Sequence, residues 1–176
     1  MKFLRLFVAT LTLVASAQSF GSSNNLTSQA LGSAIGLFNL EYSYRFSEHF
    51  TFGLTWSNGV GNLGPIEIAG SAYGAVLRRY FQPALESDSW YVVMSAEKRD
   101  YQFTLRDEQK YFLGENRDWI VAGGVGYQWF WESFNIGIGI VGTNQSGLEL
   151  KSRSGEIYRD KIDQSIGFDF TIGGKF

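Results

Sequence analysis

The stretch DQSIGFDFTIGGKF, residues 163–176, decides the fold. From position 166 onward its even-numbered positions are apolar or glycine: Ile166, Phe168, Phe170, Ile172, Gly174 and Phe176. Its odd-numbered positions carry polar or small residues: Ser165, Gly167, Asp169, Thr171, Gly173 and Lys175. Successive side chains of a β-strand point to opposite faces, so this alternation predicts a strand with one apolar face and one polar face.

The same alternation recurs along the chain and predicts seven clear strands. They lie within residues 33–46, 50–56, 66–81, 90–97, 119–131, 134–142 and 163–176. A closed membrane barrel favours an even number of strands, so we expect an eighth strand within the polar residues 18–30, closing against the last one. The predicted fold is all-β: a closed, antiparallel, up-and-down, eight-stranded transmembrane β-barrel.

The connections between the predicted strands alternate between short and long. Residues 47–49, 82–89 and 132–133 are short, whereas 57–65, 98–118 and 144–164 are longer and hold most of the charge. Membrane barrels alternate short periplasmic turns with long external loops. The pattern therefore predicts that the end with the short turns faces the periplasm.

The N-terminus, MKFLRLFVATLTLVASAQ, has the three parts of an export signal. Two basic residues precede an apolar run at 6–14, which is far shorter than the ~20 residues that a spanning helix needs. An A-x-A cleavage site ends at Ala17. We therefore expect a cleaved signal peptide at 1–17 and one outer-membrane β-barrel domain at 18–176, with an uncleaved membrane anchor as the alternative.

Alternation alone also fits a soluble barrel of the lipocalin type, whose apolar face points inward. Two features favour the membrane. The polar face mixes charges with many small residues, as expected of a narrow lumen that a few long side chains fill. The apolar face carries large aromatic residues at strand ends, where membrane barrels have aromatic girdles. One girdle is expected beside the short turns (Tyr44, Phe46, Phe50, Trp90, Trp129, Trp131 and Phe134) and the other contains Trp56 and Trp119.

Two segments resemble bacterial outer-membrane proteins. The ending GFDFTIGGKF is similar to their C-terminal signature, although Gly174 stands where an aromatic residue is common. The segment NLEYSYRFSEHFTFGL, residues 39–54, is similar to the first clear hairpin of the small outer-membrane β-barrel domain families, OmpX/OmpW-like. The resemblance implies a location in the bacterial outer membrane, among membrane lipid and lipopolysaccharide. It also implies an assembly signal that the barrel-assembly machinery reads at Phe176, Ile172, Phe170 and Phe168.

Six charged residues are expected to point into the lumen: Glu41, Arg45, Arg79, Glu97, Asp169 and Lys175. Counted from the turns, Glu97 is expected opposite Tyr73. Arg79 is expected opposite Tyr91, again within cross-strand reach. Three carboxylates near one level are compatible with acid–base catalysis, but an eight-stranded lumen is just filled by side chains, so buried charges have to pair. The pattern favours a plugged lumen over a wide pore, with a narrow channel for small solutes as an alternative.

The residue types limit the chemistry. The chain has no Cys and one His, which argues against thiolate metal sites, Cys nucleophiles and multi-His sites. Outer-membrane enzymes that modify lipid A are eight-stranded barrels that use His with Ser and an acid near the outer leaflet. His49 falls in a short turn on the expected periplasmic side, so we interpret it as a solvated turn residue. No catalytic, cofactor-binding or metal-binding residue is predicted, and a lipid A-modifying enzyme is kept as an alternative.

The long loops carry the remaining indications of function. Residues 98–118 and 144–164 each alternate around a polar turn, which predicts hairpins raised above the membrane and open to an extracellular partner. The net charge of −2, which becomes more negative when the signal is removed, argues against nucleic acid as a partner. The predicted function is a structural, envelope-integrity or surface-interaction role, with a binding surface and a plain solvated rim both left open.

Overall fold

The computed structural model describes residues 23–30, 36–63, 66–107, 110–144, 149–152, 157–159 and 165–176. These residues form eleven strands: β1 Asn24–Gln29, β2 Leu37–Ser47, β3 Phe50–Leu63, β4 Ile66–Tyr80, β5 Ser89–Asp107, β6 Lys110–Asn116, β7 Trp119–Phe130, β8 Phe134–Thr143, β9 Glu149–Ser152, β10 Ile157–Arg159 and β11 Ser165–Lys175. None of the described residues lies in a helix long and apolar enough to cross a membrane. The expected signal peptide at 1–17 lies outside the described residues.

Eight of these strands close into one antiparallel barrel. The order around the ring is β1-β2-β3-β4-β5-β7-β8-β11, and β11 pairs with β1 to complete it. Strand β1 lies within the polar stretch where the sequence predicts the eighth strand. It makes the last seam of the ring, with Asn25 opposite Lys175 and Gln29 opposite Thr171. The prediction of an all-β, closed, eight-stranded antiparallel barrel is confirmed.

The two faces of the ring differ in chemistry. Large apolar side chains point outward; Ile166 is 78% exposed, Phe168 72% and Met94 61%. Many of the inward, buried positions hold polar residues, among them Thr51 and Asn135. This distribution is the reverse of a soluble protein, in which apolar side chains fill the interior. The aromatic residues expected in the girdles are exposed on the outside (Tyr44, Phe46, Trp56, Trp90, Trp119, Trp129 and Trp131) or half-buried (Phe50 and Phe134).

Strand β4 is turned over relative to the sequence prediction. The alternation predicts that its small apolar residues face outward and that Tyr73 and Arg79 face the lumen. In the structure Ala72 and Val76 are buried, at 3% and 4% exposure, whereas Tyr73 is 61% exposed. Arg79 is exposed as well. The predicted lumen positions of Tyr73 and Arg79 are therefore wrong.

The cross-strand pairs of β4 shift with its faces. Glu97 lies opposite Gly74, and Arg79 lies opposite Val92, so the two predicted pairs with tyrosine are wrong. Between Ala72 and Val76 the inner face of β4 is closely packed, since a Cβ on Gly74 would come within 2.7 Å of the Glu97 side chain. Apolar character alone does not distinguish a small lumen-facing residue from a lipid-facing one.

One end of the barrel, the turn end, carries the connections 48–49, 81–88 and 131–133. The middle one, 81–88, corresponds to the short connection that the sequence predicts at 82–89. It folds back over the mouth of the barrel, with Ala84 and Leu85 fully buried at 0% exposure. Leu85 has a φ of 64°, in the left-handed region that bulky residues seldom adopt. We call residues 81–88 the strap.

The opposite end, the loop end, continues above the ring. Strand β5 pairs with β7 as far as Lys98 and then with β6, while β9 pairs with β10. The two hairpins join each other through β6 and β9, where Leu113 lies opposite Lys151. Paired strands are thus present in both regions where raised hairpins are predicted, and residues 108–109 and 153–156 lie outside the described residues.

A third connection at the loop end differs from the prediction. Residues 57–65 are predicted to form a long loop. Instead, β3 stays paired with β4 up to Leu63, which lies opposite Ile66. The alternation is weak there because Gly59 and Gly61 interrupt the run of side chains, so the sequence does not reveal that the strand continues.

Candidate functional site in the barrel lumen

The lumen holds a buried ion pair between Glu41 on β2 and Arg78 on β4. Arg78 Nη2 donates to Glu41 Oε2 at 2.8 Å and Nη1 donates to Oε1, so the contact is bidentate. The two side chains are 8% and 9% exposed. Ser43 Oγ donates to Glu41 Oε1 at 2.5 Å. Buried charges are tolerated when they are paired and hydrogen-bonded. The pair links β2 to β4, the two strands that flank β3.

Asp169 on β11 is a second buried carboxylate, with 6% exposure. Tyr91 OH donates to its Oδ2 and Gln29 Nε2 donates to its Oδ1, each at 3.4 Å. The guanidinium of Arg78 lies 5.6 Å from the centre of the Tyr91 ring. One tyrosine from β5 therefore contacts both the cation from β4 and the carboxylate from β11.

A chain of polar side chains crosses the lumen from β4 to β1. Tyr80 OH donates to Gln128 Oε1 at 2.7 Å, and Gln128 Nε2 donates to Asn135 Oδ1 at 2.7 Å. Asn135 Nδ2 then donates to Asn25 Oδ1 at 2.7 Å. Tyr80 is 1% exposed and Asn135 0%. The chain links side chains of β4, β7, β8 and β1 inside the barrel.

The tyrosines fit because glycine faces them. The rings of Tyr80 and Tyr91 lie 5.6 Å apart, and Gly126 lies opposite Tyr91 on β7. A Cβ placed on Gly126 would come within 2.4 Å of atoms of the Tyr91 ring. Glycine is needed at position 126 because the side chain of any other residue would overlap the Tyr91 ring.

A looser polar layer lies toward the loop end. Arg99 Nη2 lies 3.2 Å from Glu97 Oε2, and the two side chains are 26% and 22% exposed. Thr55 Oγ1 donates to Glu97 Oε1 at 3.4 Å. The hydroxyls of Ser57 and Tyr101 are 2.6 Å apart. Partial exposure at this level contrasts with the closed layer around Glu41.

The strap lies at the turn end and is held by two cations. Arg45 Nη1 donates to the Ala84 carbonyl at 3.1 Å and forms an ion pair with Glu86. Lys175 Nζ donates to the Leu85 carbonyl at 2.9 Å. Charged donors from β2 and β11 thus satisfy the carbonyls of a buried turn, and such hydrogen bonds are stronger than neutral ones.

Within the described part of the chain, every buried side-chain nitrogen and oxygen has a hydrogen-bond partner. The same residues include no group of three or more His, Cys, Asp or Glu side chains placed to hold a metal ion. His49 lies in a turn at the turn end, with its Nδ1 3.9 Å from the Glu48 carboxylate. The hydrogen bonds and ion pairs inside the barrel connect side chains from several of its strands.

The structure distributes the predicted lumen charges over several levels. From the loop end to the turn end they are Glu97, then Glu41 and Asp169, then Arg45 and Lys175. Arg79 is on the outside, and its neighbour Arg78 takes the lumen position. The residues that sequence analysis did not single out are Arg78, Tyr80, Gln128 and Asn135. A signal for Gln128 was available, since an amide between the outward Tyr127 and Trp129 has to point inward.

Phe168, Phe170 and Ile172 of the predicted assembly signal lie on the outward face of β11, and Phe176 directly follows the strand. Phe168 is 72% exposed there. The backbones of Phe176 and Asn24 exchange two hydrogen bonds, each of 3.0 Å. The ring of Phe176 lies 6.4 Å from that of Tyr42. The C-terminal residue is thus part of the seam that closes the barrel.

No protein-family model and no curated protein sequence matches the chain. Among solved structures the chain is similar to the N-terminal β-barrel domain of Pseudomonas aeruginosa OprF, with a TM-score of 0.56 and 12% sequence identity. The match covers 89% of this chain and 100% of that one. At this identity the likeness concerns the fold, which is that of an OprF-like outer-membrane barrel. It does not assign the chain to the OmpX/OmpW-like subtype.

Proposed function

We propose that this chain is an integral β-barrel protein of the bacterial outer membrane. The observation that carries the proposal is the inverted distribution of side chains, large and apolar outside and polar or charged inside. A soluble monomer rarely exposes an apolar patch larger than about 300–600 Å². A band of this kind around a closed barrel is stable when lipid rather than water surrounds it. The OprF-like fold supports the same location.

Export and assembly fit this location. A signal peptide at 1–17, cleaved after Ala17, would bring the chain to the periplasm. The apolar stripe of β11 that ends at Phe176, with Phe168, Phe170 and Ile172, would then be read by the barrel-assembly machinery. Outer-membrane lipid and lipopolysaccharide would surround the finished barrel.

The proposed role is structural or interactive rather than transport. The Glu41–Arg78 pair and the polar chain from Tyr80 to Asn25 lie inside the barrel, and Ala84 and Leu85 of the strap are buried at its turn end. These observations support a plugged barrel. At the loop end, the pairing of β6 with β9 joins the two hairpins into one raised platform. We propose that envelope integrity or contact with an extracellular partner depends on this platform, within 98–118 and 144–164.

The location and orientation can be tested with single cysteines, because the natural chain has none. Leu113→Cys on β6 is at the loop end and Glu132→Cys at the turn end, and both positions are exposed. In intact cells a membrane-impermeant maleimide should label Leu113→Cys. It should label Glu132→Cys only after the outer membrane is permeabilised. Labelling of Glu132→Cys in intact cells, or recovery of the protein in the soluble fraction, would contradict the proposal.

The plugged lumen has its own test. Purified barrel in planar lipid bilayers should give no stable single-channel currents of porin size, since side chains fill an eight-stranded lumen. A large-pore porin inserted under the same conditions serves as the positive control. Stable currents of similar size from the wild-type chain would overturn the plugged-lumen proposal and leave the membrane location standing.

A further inference from the structure

Arg79 is a cation on the apolar outside of the barrel. It lies one residue before the end of β4, opposite Phe50 on β3 and Val92 on β5. The side chain is exposed, and it faces away from the lumen that its neighbour Arg78 occupies. A charge on the outer face needs an explanation, because charged side chains on a lipid-facing surface are destabilising unless they reach the interface.

The surroundings of Arg79 are aromatic. Its guanidinium lies 5.5 Å from the centre of the Phe81 ring. Phe81 is 54% exposed, and Trp90, whose carbonyl accepts the Phe81 N–H at 3.1 Å, is 60% exposed. Aromatic residues of this kind collect at the headgroup level of a bilayer. The guanidinium is therefore at the depth where lipid phosphates lie.

The turn-end acids closest in sequence are engaged elsewhere. Within the described residues, no carboxylate lies within ion-pair distance of Arg79. Glu86 pairs with Arg45, and Asp88 Oδ1 accepts the Phe130 N–H at 2.7 Å. An anion that neutralises Arg79 would therefore have to come from another molecule.

Lys98, the outward-facing cation at the loop end, provides a contrast. It lies opposite Tyr73 and Trp119, again between aromatic residues. Its Nζ donates to the Arg117 carbonyl, so the protein itself supplies a partner. Arg79 has the Phe81 ring 5.5 Å from its guanidinium and no ion-pair partner among the described carboxylates.

We propose that Arg79, seated against Phe81, binds the phosphate of an anionic phospholipid in the leaflet at the turn end. A guanidinium fits a phosphate through two parallel N–H···O bonds, a geometry that lysine does not offer. The aliphatic stem of arginine lies along apolar surface while its head reaches the interface. This inference rests on the proposed membrane location, and it adds a lipid-binding site to it.

The test uses the full chain, purified in a non-ionic detergent, with equimolar phosphatidylglycerol and phosphatidylcholine of matched acyl chains. Native mass spectrometry gives the ratio of bound phosphatidylglycerol to bound phosphatidylcholine. Wild type should favour phosphatidylglycerol, and Arg79→Gln should lower that ratio about fivefold, as expected for one cation near a lipid surface. Arg79→Lys should restore part of the ratio. Arg117→Gln removes the same charge from the exposed loop end and should leave the ratio unchanged.

Three outcomes would overturn the site. The first is an unchanged ratio in Arg79→Gln, and the second is an equal fall in Arg79→Gln and Arg117→Gln, which would indicate a general effect of net charge. The third is loss of the wild-type preference when millimolar inorganic phosphate is added, which would indicate a site for free phosphate rather than for lipid. A heat-modifiable band in each variant shows that the barrel is folded, and the cysteine labelling described above tests the location separately, so failure of the lipid site is distinguishable from failure of the proposed location.

Discussion

Arg78 and Arg79 are joined by one peptide bond and lie in opposite environments. Arg78 is bound by Glu41 inside the barrel, and Arg79 rests on Phe81 outside it. Alternation shows that the two residues must face opposite ways, and it does not show which of them faces inward. That choice is fixed by the register of β4 with its neighbours and by a carboxylate on the inner face of β2. Both are known only once the barrel has folded.

The two arginines should therefore have very different effects on stability. We expect Arg78→Gln to lower the free energy of unfolding by about 3–5 kcal/mol, because Glu41 is then buried without its partner. Arg79→Gln should change it by less than about 0.5 kcal/mol in a detergent that has no phosphate headgroup. Urea unfolding followed by tryptophan fluorescence measures both.

A double substitution separates the pair from its surroundings. Glu41→Gln with Arg78→Gln should cost less than the sum of the two single substitutions, since neither leaves an unpaired charge when both are made. If Arg78→Gln and Arg79→Gln were equally destabilising, the assignment of Arg78 to the lumen would be incorrect.

Gly126 offers a second test at the scale of one residue. Gly126→Ala would place a methyl group 2.4 Å from the Tyr91 ring, so we expect a loss of about 1–3 kcal/mol in the free energy of unfolding. Gly123→Ala is the matched control on the same strand. Its Cβ would meet only the Val93 carbonyl at 3.9 Å, and stability should hardly change. Similar effects of the two substitutions would indicate that Tyr91 does not pack against Gly126.

Among the elements, most strand faces are predictable from the sequence and that of β4 is not. Strands such as β3 and β8 carry large apolar side chains on one face only, for instance Phe52 and Ile138, so the lipid-facing side is evident. In β4 the inner face holds the small apolar residues Ala72 and Val76, which are buried at 3% and 4% exposure. Small apolar residues that face the lumen alternate along the sequence in the same way as apolar residues that face lipid. Hydrophobic alternation therefore assigns the faces of β4 the wrong way round.

The strap is the second element that the sequence does not reveal. Ala84 and Leu85 lie in a polar stretch that looks like an ordinary surface turn. Their burial depends on Arg45 and Lys175, which come from strands far away in the chain. Long-range hydrogen bonds of this kind do not produce a hydrophobic pattern in the segment that they hold, so its burial cannot be read from the sequence.

The burial of the strap can be measured by cysteine reactivity. Leu85→Cys should react with a water-soluble maleimide at least about tenfold more slowly than Gln82→Cys, since each ~1.4 kcal/mol needed for local opening lowers the open population tenfold. Gln82 is an exposed position in the same segment and serves as the control. Adding Lys175→Ala should speed the reaction of Leu85→Cys and leave that of Gln82→Cys as it was. Equal rates for the two cysteines in the wild-type background would contradict a buried strap.

At the scale of the whole molecule, closure of the ring between a first strand within 18–30 and the last strand was predictable, and the exact position of the first strand was not. The alternating stripe of β11 indicates a last strand, and an even strand count requires a first one. The position of β1 within residues 18–30 could not be narrowed because Asn24, Asn25 and Thr27 carry no apolar stripe. Their side chains face other polar groups, and Asn25 is bound by Asn135 inside the barrel.

The C-terminal residue joins the proposed assembly signal to this seam, and the two roles can be separated. Phe176→Ala keeps both backbone hydrogen bonds to Asn24 and removes the ring. If the ring is an assembly signal, the heat-modifiable fraction in outer membranes should fall, while refolding of the purified variant into detergent stays close to wild type. Phe134→Ala, which removes another aromatic residue at the turn end, is the control and should assemble normally. Normal assembly of Phe176→Ala in cells would show that the ring is not the signal.

The seam between β1 and β11 also has a consequence for the rate of folding. It joins positions near opposite ends of the chain, and β1, with six residues, is the shortest strand of the ring. Contacts between positions far apart in the chain have the largest entropic cost of loop closure and form slowly. In a short strand this cost is offset only after nearly all of its residue pairs have formed. We therefore expect an open sheet to precede the closed ring, with two unpaired edges that another strand can occupy. The speed of barrel formation then depends on the few residues at the seam, while the Glu41–Arg78 pair and the tyrosines mainly determine how long the closed state lasts.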